Sequence, residues 1–288
     1  MNLLVLGLLN GVSFGMVLFL LTIGLSITLG LMGIINLSHG ALFMVASFAG
    51  WMLVVQLGYS YWLALLVGAI IAGLVGLAIE QGFLSRLHGL INDQVLLTIG
   101  FIYILMNLSL WIWGGRARMP YHDPLLAGTF SIAGWQYPVY RIFIIGAGLI
   151  LILAIWWLLE RTRIGAIIRA GMDDIETAKA LGKNLGRINY LVFFLGSFLA
   201  GLAGVIGAQM MGPRIGMGWD ILLLALIVLV VGGMGSIQGA LIGAMLIGLV
   251  DSFGRALLPD LAMFFMYIVM IIVLMVKPSG ILPRESGG

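Results

Sequence analysis

Cysteine is absent from this 288-residue sequence, and charged residues make up only 9% of it. The lack of cysteine excludes disulfides, iron–sulfur clusters and thiol chemistry. Soluble domains carry roughly 25% charged residues, so the scarcity of charge excludes a solvated globule. Hydrophobic residues reach 62%, and the 42 glycines are about twice ordinary usage, which suits closely packed membrane helices. The composition predicts an all-α, polytopic integral membrane protein.

Motifs for catalysis and nucleotide binding are missing as well. The three histidines, His39, His88 and His122, lie far apart without metal-ligand spacing. The sequence contains no HExxH, no nucleophile elbow, no GxxxxGK[ST] loop and no TVGYG-like filter. We therefore expect a non-catalytic chain without a metal or cofactor, and any ATP that drives it would be bound by partner subunits.

Apolar runs recur at a length that crosses a bilayer of about 30 Å, roughly 20 residues each. They lie near residues 3–29, 36–56, 61–80, 95–113, 141–159, 188–210 and 260–276. Two shorter runs within 219–256 flank the Gly-rich turn GGMGSIQG, and they predict either two short crossings or a re-entrant pair. The expected total is about eight or nine transmembrane helices in one domain, residues 1–288.

The distribution of Lys and Arg predicts the orientation. If residues 160–187 are cytoplasmic, nine basic residues lie on that side and five on the other, which fits the positive-inside bias. This bias accounts for the net charge of +3, so we expect no nucleic acid partner. The N-terminus and the loop 114–140 then face outside. The aromatic residues of that loop predict an ordered cap on the outer surface, with a contact surface for a delivered partner as the alternative.

Residues 160–187 form the only long polar segment. They hold six of the fourteen basic and four of the eleven acidic residues. Acidic residues precede basic ones along a short predicted helix, which agrees with the helix dipole, and Gly182 ends it. Two interpretations remain open: a solvated surface helix, or a helix that docks in a groove on a cytoplasmic partner.

Two stretches resemble each other, residues 31–42 (LMGIINLSHGAL) and 233–244 (GMGSIQGALIGA). Each has Met-Gly, a short polar break and Gly-Ala-Leu. Matched Gly-interrupted helices often mark a transport path, so the break residues are candidates for a path or gate at about membrane-surface depth: Asn36, Ser38, His39, Gly40, Ser236 and Gln238. The alternative is an ordinary loop in which Asn and Ser cap a helix.

Charge is nearly absent from the predicted spans. Asp251 is an exception, and Arg255, one turn later, is its expected partner. The scarcity of intramembrane charge argues against a proton relay or an ion-binding cavity. It predicts a weakly binding pathway, with selectivity exerted elsewhere.

Several motifs resemble the LivH-type permeases of bacterial branched-chain amino acid ABC importers. RxxxxDxxxAxxxG occurs at Arg169, Asp174, Ala178 and Gly182, and residues 176–182 are similar to the EAA-xxx-G loop of ABC importers, with Thr177 at the middle Ala and without the later Pro. Further matches lie at 24–40, 199–208, 232–243 and 277–283, so the resemblance spans the chain.

The resemblance implies a multi-pass permease of the inner membrane, surrounded by lipid, that moves branched-chain amino acids or a related small solute by alternating access. It implies four partners: a LivM-like second permease, two cytoplasmic ATP-binding subunits and a periplasmic substrate-binding protein. It assigns contact with the ATPases to a coupling loop within 160–187, at Arg169, Asp173, Asp174, Glu176, Ala178 and Gly182. The alternatives are a ribose-type sugar permease, for which more hydrogen-bonding side chains are expected in the spans, and a stand-alone facilitator.

Overall fold

A computed structural model describes residues 2–87, 89–132, 134–173 and 185–283, and its described part is almost entirely helical. The α-helices are α1 Asn2–Met32, α2 His39–Trp51, α3 Tyr61–Gly82, α4 Ile91–Trp113, α5 Val139–Arg161, α6 Arg163–Asp173, α7 Leu185–Met211, α8 Met217–Gly232, α9 Ile237–Leu257 and α10 Ala262–Val276. A π-helical turn, Met52–Gln56, continues α2. The strands β1 Thr129–Ile132 and β2 Trp135–Pro138 form one antiparallel hairpin.

Eight helical segments of the described chain are long and apolar enough to cross a membrane. The helix α9, with 21 residues, is one of them. At 1.5 Å per residue, the 16 residues of α8 extend about 24 Å, less than a bilayer core of about 30 Å. The prediction of an all-α polytopic protein with eight or nine membrane helices is confirmed, and the pair near 219–256 consists of one short and one full-length helix.

Helices α1 and α7 occupy the centre of the bundle. Their backbones approach at Gly24 and Gly196, where a Cβ on Gly24 would lie 2.5 Å from the Gly196 carbonyl oxygen. On its other side α1 packs along α9, with Gly11 against Gly248. Small residues permit this close approach between membrane helices. Helices α4, α5 and α10 lie at the periphery and expose many apolar side chains.

Residues 114–138 fold into an ordered structure over one end of the bundle, which we call the cap. Its 3₁₀ turn Pro124–Leu126 begins at Asp123, whose carboxylate accepts a hydrogen bond from the Leu125 amide at 2.9 Å. The hairpin of β1 and β2 follows. The described residues of this segment thus have a defined fold, and the ordered outer cap predicted for residues 114–140 stays a prediction.

Three contacts fix the cap to the helices. The Arg118 guanidinium lies 4.4 Å from the Trp51 ring centroid, and the Arg118 amide donates to the Pro213 carbonyl at 2.8 Å. Tyr121 is buried, and its hydroxyl donates to the Ser47 carbonyl at 3.4 Å. Burial holds the pKa of Tyr121 well above its usual range, so the phenol stays neutral in this contact.

Candidate functional site

The first break, residues 33–38, begins where α1 ends. Gly33 has a φ of +66°, a left-handed conformation that terminates a helix at little cost for glycine. The Asn36 carboxamide oxygen then accepts hydrogen bonds from the Ser38 amide at 3.1 Å and the Ser38 hydroxyl at 2.6 Å. This side-chain turn immediately precedes α2, but Ser38 makes no capping hydrogen bond to the helix with its side chain, so the choice between a gate and a capped loop stays open.

His39 connects the start of α2 to the middle of α1. Its Nε2 lies 3.0 Å from the Leu21 carbonyl oxygen, and because a carbonyl only accepts, the proton is assigned to Nε2. Leu21 lies eleven residues before the end of α1 at Met32, or about 16 Å along the helix. The break therefore enters the bundle, deeper than the membrane-surface position that the sequence suggested. Gly40 continues inward and packs against the Gly218 carbonyl of α8.

Two polar atoms of this break have no hydrogen-bond partner among the described residues. They are Asn36 Nδ2 and His39 Nδ1, and both side chains are fully buried. A buried unsatisfied group costs about 1–3 kcal/mol. Such atoms often mark a functional site or a site that binds a ligand or water.

The second break, residues 233–236, is packed against residues 282 and 283. Gly233 and Gly235 have φ angles of +114° and +75°, and the Ser236 hydroxyl caps α9 by accepting from the Gly239 amide at 3.0 Å. The amides of Ile281 and Leu282 donate to the last carbonyls of α8 at 2.9 and 3.0 Å. The motifs at 232–243 and 277–283 thus form one contact, which their separation in sequence did not indicate.

The two similar stretches have corresponding geometry. Gly33 and Gly235, the glycines of the two Met-Gly pairs, both have positive φ. The glycines of the two Gly-Ala-Leu triplets, Gly40 and Gly239, both lie in the first turn of a helix and both touch an α8 backbone. The second break also reaches the end of α1 that leads into the first break, because Gly235 approaches Gly30. The sequence similarity therefore corresponds to a structural one.

A cavity of about 630 Å³ opens beside the second break. It is mainly apolar and lies between α1, α5, α6 and the start of α9. Ser236 and Gln238 line one side, and Trp156, Glu160 and Arg169 line the other. Of the six residues predicted for a path or gate, the structure places these two on a cavity and buries Asn36, Ser38, His39 and Gly40 inside the bundle.

Arg169 joins α6 to the end of α5. Its guanidinium forms an ion pair with Glu160 at 3.2 Å and donates to the Leu159 carbonyl, which is a favourable place for a cation because it is a helix C-terminus. Of the other predicted coupling residues, Asp173 ends α6, while Asp174, Glu176, Ala178 and Gly182 lie outside the described residues.

A tight turn between α5 and α6 adds to this connection. The Thr162 hydroxyl donates to the Leu158 carbonyl at 2.5 Å and accepts from the Gly165 amide at 3.1 Å. A Cβ on Gly165 would collide with the carbonyl oxygens of Leu158 and Leu159. Only glycine fits this turn without displacing α6.

The sequence reasoning missed Glu80. This side chain is fully buried within the span α3, and it has a hydrogen-bonding or electrostatic partner. A count of acidic residues inside the predicted span 61–80 would have found it. The expectation that the spans lack acidic groups other than Asp251 is therefore wrong at this position.

Comparison with known proteins gives a consistent family. A family described as "Branched-chain amino acid transport system / permease component" matches residues 7–274. The high-affinity branched-chain amino acid transport permease LivH of Escherichia coli K12 is 30% identical, with 96% of this chain and 94% of LivH covered. BraD of Pseudomonas aeruginosa is 28% identical over 97% and 95%. The ribose import permease RbsC of Escherichia coli K12 is 30% identical over 66% of this chain and 58% of RbsC.

A solved structure shares the fold. PsaBC from Streptococcus pneumoniae, in complex with a Fab, superimposes with a TM-score of 0.52, covering 94% of this chain and 91% of that chain at 16% identity. At this identity the likeness concerns the fold alone.

Proposed function

This chain belongs to the family of permease components of branched-chain amino acid transport systems, and from this premise we propose that it is one permease subunit of an ABC importer that takes up branched-chain amino acids. The family, together with the eight long apolar helices of the described residues, makes it a multi-pass protein of the bacterial inner membrane. The relatives are transport permease subunits. We assign ATP binding and hydrolysis to two partner subunits, substrate capture to a periplasmic binding protein, and the other half of the pathway to a LivM-like permease.

One observation supports the coupling mechanism: α6 is fastened to α5 by both the Thr162 turn and the pair of Arg169 with Glu160. A force applied to α6 by an ATPase would therefore move the end of α5. That end forms one wall of the cavity whose other wall is the second break. We propose that ATPase closure changes the width of this cavity and tilts α5 against α9 during alternating access.

The first break fits the same cycle as a gate-structuring element. Asn36 Nδ2 and His39 Nδ1 lack partners in the described part of this conformation. We propose that a second conformation, reached when α2 shifts along α1, satisfies these atoms. The two unsatisfied atoms raise the free energy of the present conformation. The free-energy difference between the two conformations would therefore be smaller than if both atoms were hydrogen-bonded here.

The function is tested by reconstitution. The chain, a LivM-like permease, the two ATP-binding subunits and the binding protein are assembled in proteoliposomes, and uptake of labelled leucine is measured with and without ATP. ATP-dependent uptake is expected. Uptake that continues without the ATP-binding subunits would instead indicate a stand-alone facilitator.

A sugar importer is the second candidate, because the ribose permease RbsC matches two thirds of this chain. Labelled ribose in the same vesicles, with binding proteins of either specificity, separates the two substrates. We expect leucine uptake and no ribose uptake.

Substitutions in the coupling segment are expected to separate ATP hydrolysis from transport. Glu176→Lys reverses a charge, and Gly182→Leu adds bulk, where the resemblance places ATPase contact. Uptake per ATP hydrolysed should fall roughly tenfold, while membrane insertion is unchanged. A tenfold change corresponds to about 1.4 kcal/mol, which lies within the usual range of about 1–3 kcal/mol for coupling free energies. Gly146→Leu, at an α5 glycine with open space around it, is the control. Normal coupling in both variants would contradict the assignment.

Apolar substitutions in the first break are expected to slow transport. Asn36→Leu removes the turn that positions Ser38, and His39→Phe removes the hydrogen bond to Leu21. We expect leucine uptake to fall roughly tenfold, which equals about 1.4 kcal/mol in the barrier, with ATPase subunits still bound in pull-down. Asn107→Leu, at an exposed asparagine of α4, serves as control. Unchanged uptake would show that this break is an ordinary loop without a role in transport.

A further inference from the structure

A second cavity, of about 410 Å³, lies at the cap end of the bundle and has no part in the proposed transport cycle. Four helices meet around it: α1, α5, α7 and α9. Asn10, Arg141, Asp251 and Arg255 supply its polar lining, and Met211 contributes apolar surface. Ser252 also lines it, but its hydroxyl is bonded to the Gly7 carbonyl at 2.8 Å.

One of the two arginines is neutralised within the cavity. Arg255 Nε donates to both carboxylate oxygens of Asp251, at 2.9 and 2.8 Å. The expected partnership of these two residues is confirmed. Asp251 is buried, with 9% of its side chain exposed, whereas Arg255 is 61% exposed, so the guanidinium extends from its carboxylate toward the opening.

The other arginine has only neutral partners in the described part of the chain. Arg141 donates to the Asn10 carboxamide oxygen at 2.6 Å and to the Tyr140 hydroxyl at 3.2 Å. Among the described residues no carboxylate lies within ion-pair distance of it. Arg141, Arg255 and Asp251 together therefore give the cavity a net charge of +1.

The two arginines of the cavity lie at the ends of long apolar helices, where phospholipid phosphates are expected. Arg141 is in the first turn of α5, and Arg255 is in the last turn of α9. Arginines at the ends of membrane helices reach the headgroup region. Both helices also carry exposed apolar side chains near these ends, Ile142 on α5 and Leu257 on α9, which the acyl chains of a bound lipid can contact.

We propose that this cavity binds the phosphate of one membrane phospholipid, held by the guanidinium groups of Arg141 and Arg255. Guanidinium matches phosphate oxygens in geometry and charge. At roughly 30 Å³ per water molecule the cavity has room for about a dozen waters, more than a lone phosphate ion occupies. A headgroup with its glycerol would use that space.

The wild-type chain tests the ligand class without any substitution. The full chain is purified in detergent, stripped of lipid, and supplied separately with dioleoyl phosphatidylglycerol, dioleoyl phosphatidylethanolamine, dioleoylglycerol or inorganic phosphate. We expect the two phospholipids to raise the unfolding midpoint and to remain as one adduct per chain in native mass spectrometry. Equal stabilisation by dioleoylglycerol would overturn the phosphate site, and equal stabilisation by inorganic phosphate would overturn the lipid assignment.

Substitution then locates the site. Arg141→Gln removes a charge-assisted bond and should weaken phosphatidylglycerol binding about tenfold or more, while Arg141→Lys, which keeps the charge without the forked geometry, should weaken it less. Arg214→Gln is the matched control, because Arg214 pairs with Asp220 at 2.7 Å and does not line the cavity. Equal lipid retention by Arg141→Gln and the wild type would refute the proposed location.

Discussion

Gly239→Val is expected to abolish leucine uptake. Gly239 and Gly232 touch backbone to backbone, and a Cβ on Gly239 would lie 2.8 Å from the Gly232 carbonyl carbon and 2.9 Å from the Leu282 carbonyl oxygen. Real Cβ contacts under 3.0 Å essentially do not occur. The start of α9 must therefore move away from the end of α8 and from the segment that contains Leu282. Overpacking usually costs about 1–3 kcal/mol, and the cost should be higher here because the obstacles are backbone atoms.

The measurement is ATP-dependent uptake in proteoliposomes, normalised to the amount of chain incorporated. Gly100→Val is the matched control, because no atom lies within 4 Å of a Cβ at that glycine of α4. Ser236→Ala provides a milder change in the same break. It removes the cap of α9, which is worth about 1 kcal/mol, and should reduce uptake only partly. Wild-type uptake by Gly239→Val would show that the second break has no role in transport.

Gly165→Val is expected to uncouple ATP hydrolysis from uptake. The added side chain collides with the carbonyl oxygens of Leu158 and Leu159, so α6 must swing away from α5 and lose the contact between Arg169 and Glu160. Because the clash is local to the end of α5 at Leu158 and Leu159, the bundle should still form. ATPase activity of the assembled complex should persist while uptake falls by roughly tenfold or more, as for the loss of a coupling free energy of 1–3 kcal/mol.

Two further variants test whether the link between α6 and α5 couples ATP hydrolysis to uptake. Arg169→Gln removes the ion pair without adding bulk, and because both partners are partly exposed its effect on folding should be small. It should reduce coupling less than Gly165→Val. Gly146→Val, on α5 in open space, should behave as wild type. If Gly165→Val transports normally, α6 does not transmit force through α5.

The helices were predictable because crossing a bilayer imposes an apolar run of about 20 residues. The predicted span 61–80 is α3, Tyr61–Gly82, and 188–210 is α7, Leu185–Met211. The helix ends at the breaks were also readable, since glycine marked the points where the backbone turns with positive φ. The pairing of Asp251 with Arg255 followed from helical spacing alone.

The depth of the breaks was not predictable. Asn36, Ser38, His39 and Gly40 interrupt an apolar run, so the sequence predicts a path or gate, or an ordinary loop, at about membrane-surface depth. The structure folds them back into the bundle until His39 reaches Leu21. The local sequence determines where a helix ends. The direction of the next helix depends on the helices against which it packs.

The sequence by itself determined the membrane class, the helix lengths, the polar segment at 160–187 and the family resemblance, because each depends on the composition or order of neighbouring residues. Tertiary structure alone decided that residues 281 and 282 bond to the end of α8 beside the second break, and that Arg141 and Arg255 share a cavity. These features join residues far apart in the chain, such as Gly232 with Leu282. Such contacts are selected by packing of the whole bundle, and no local pattern encodes them.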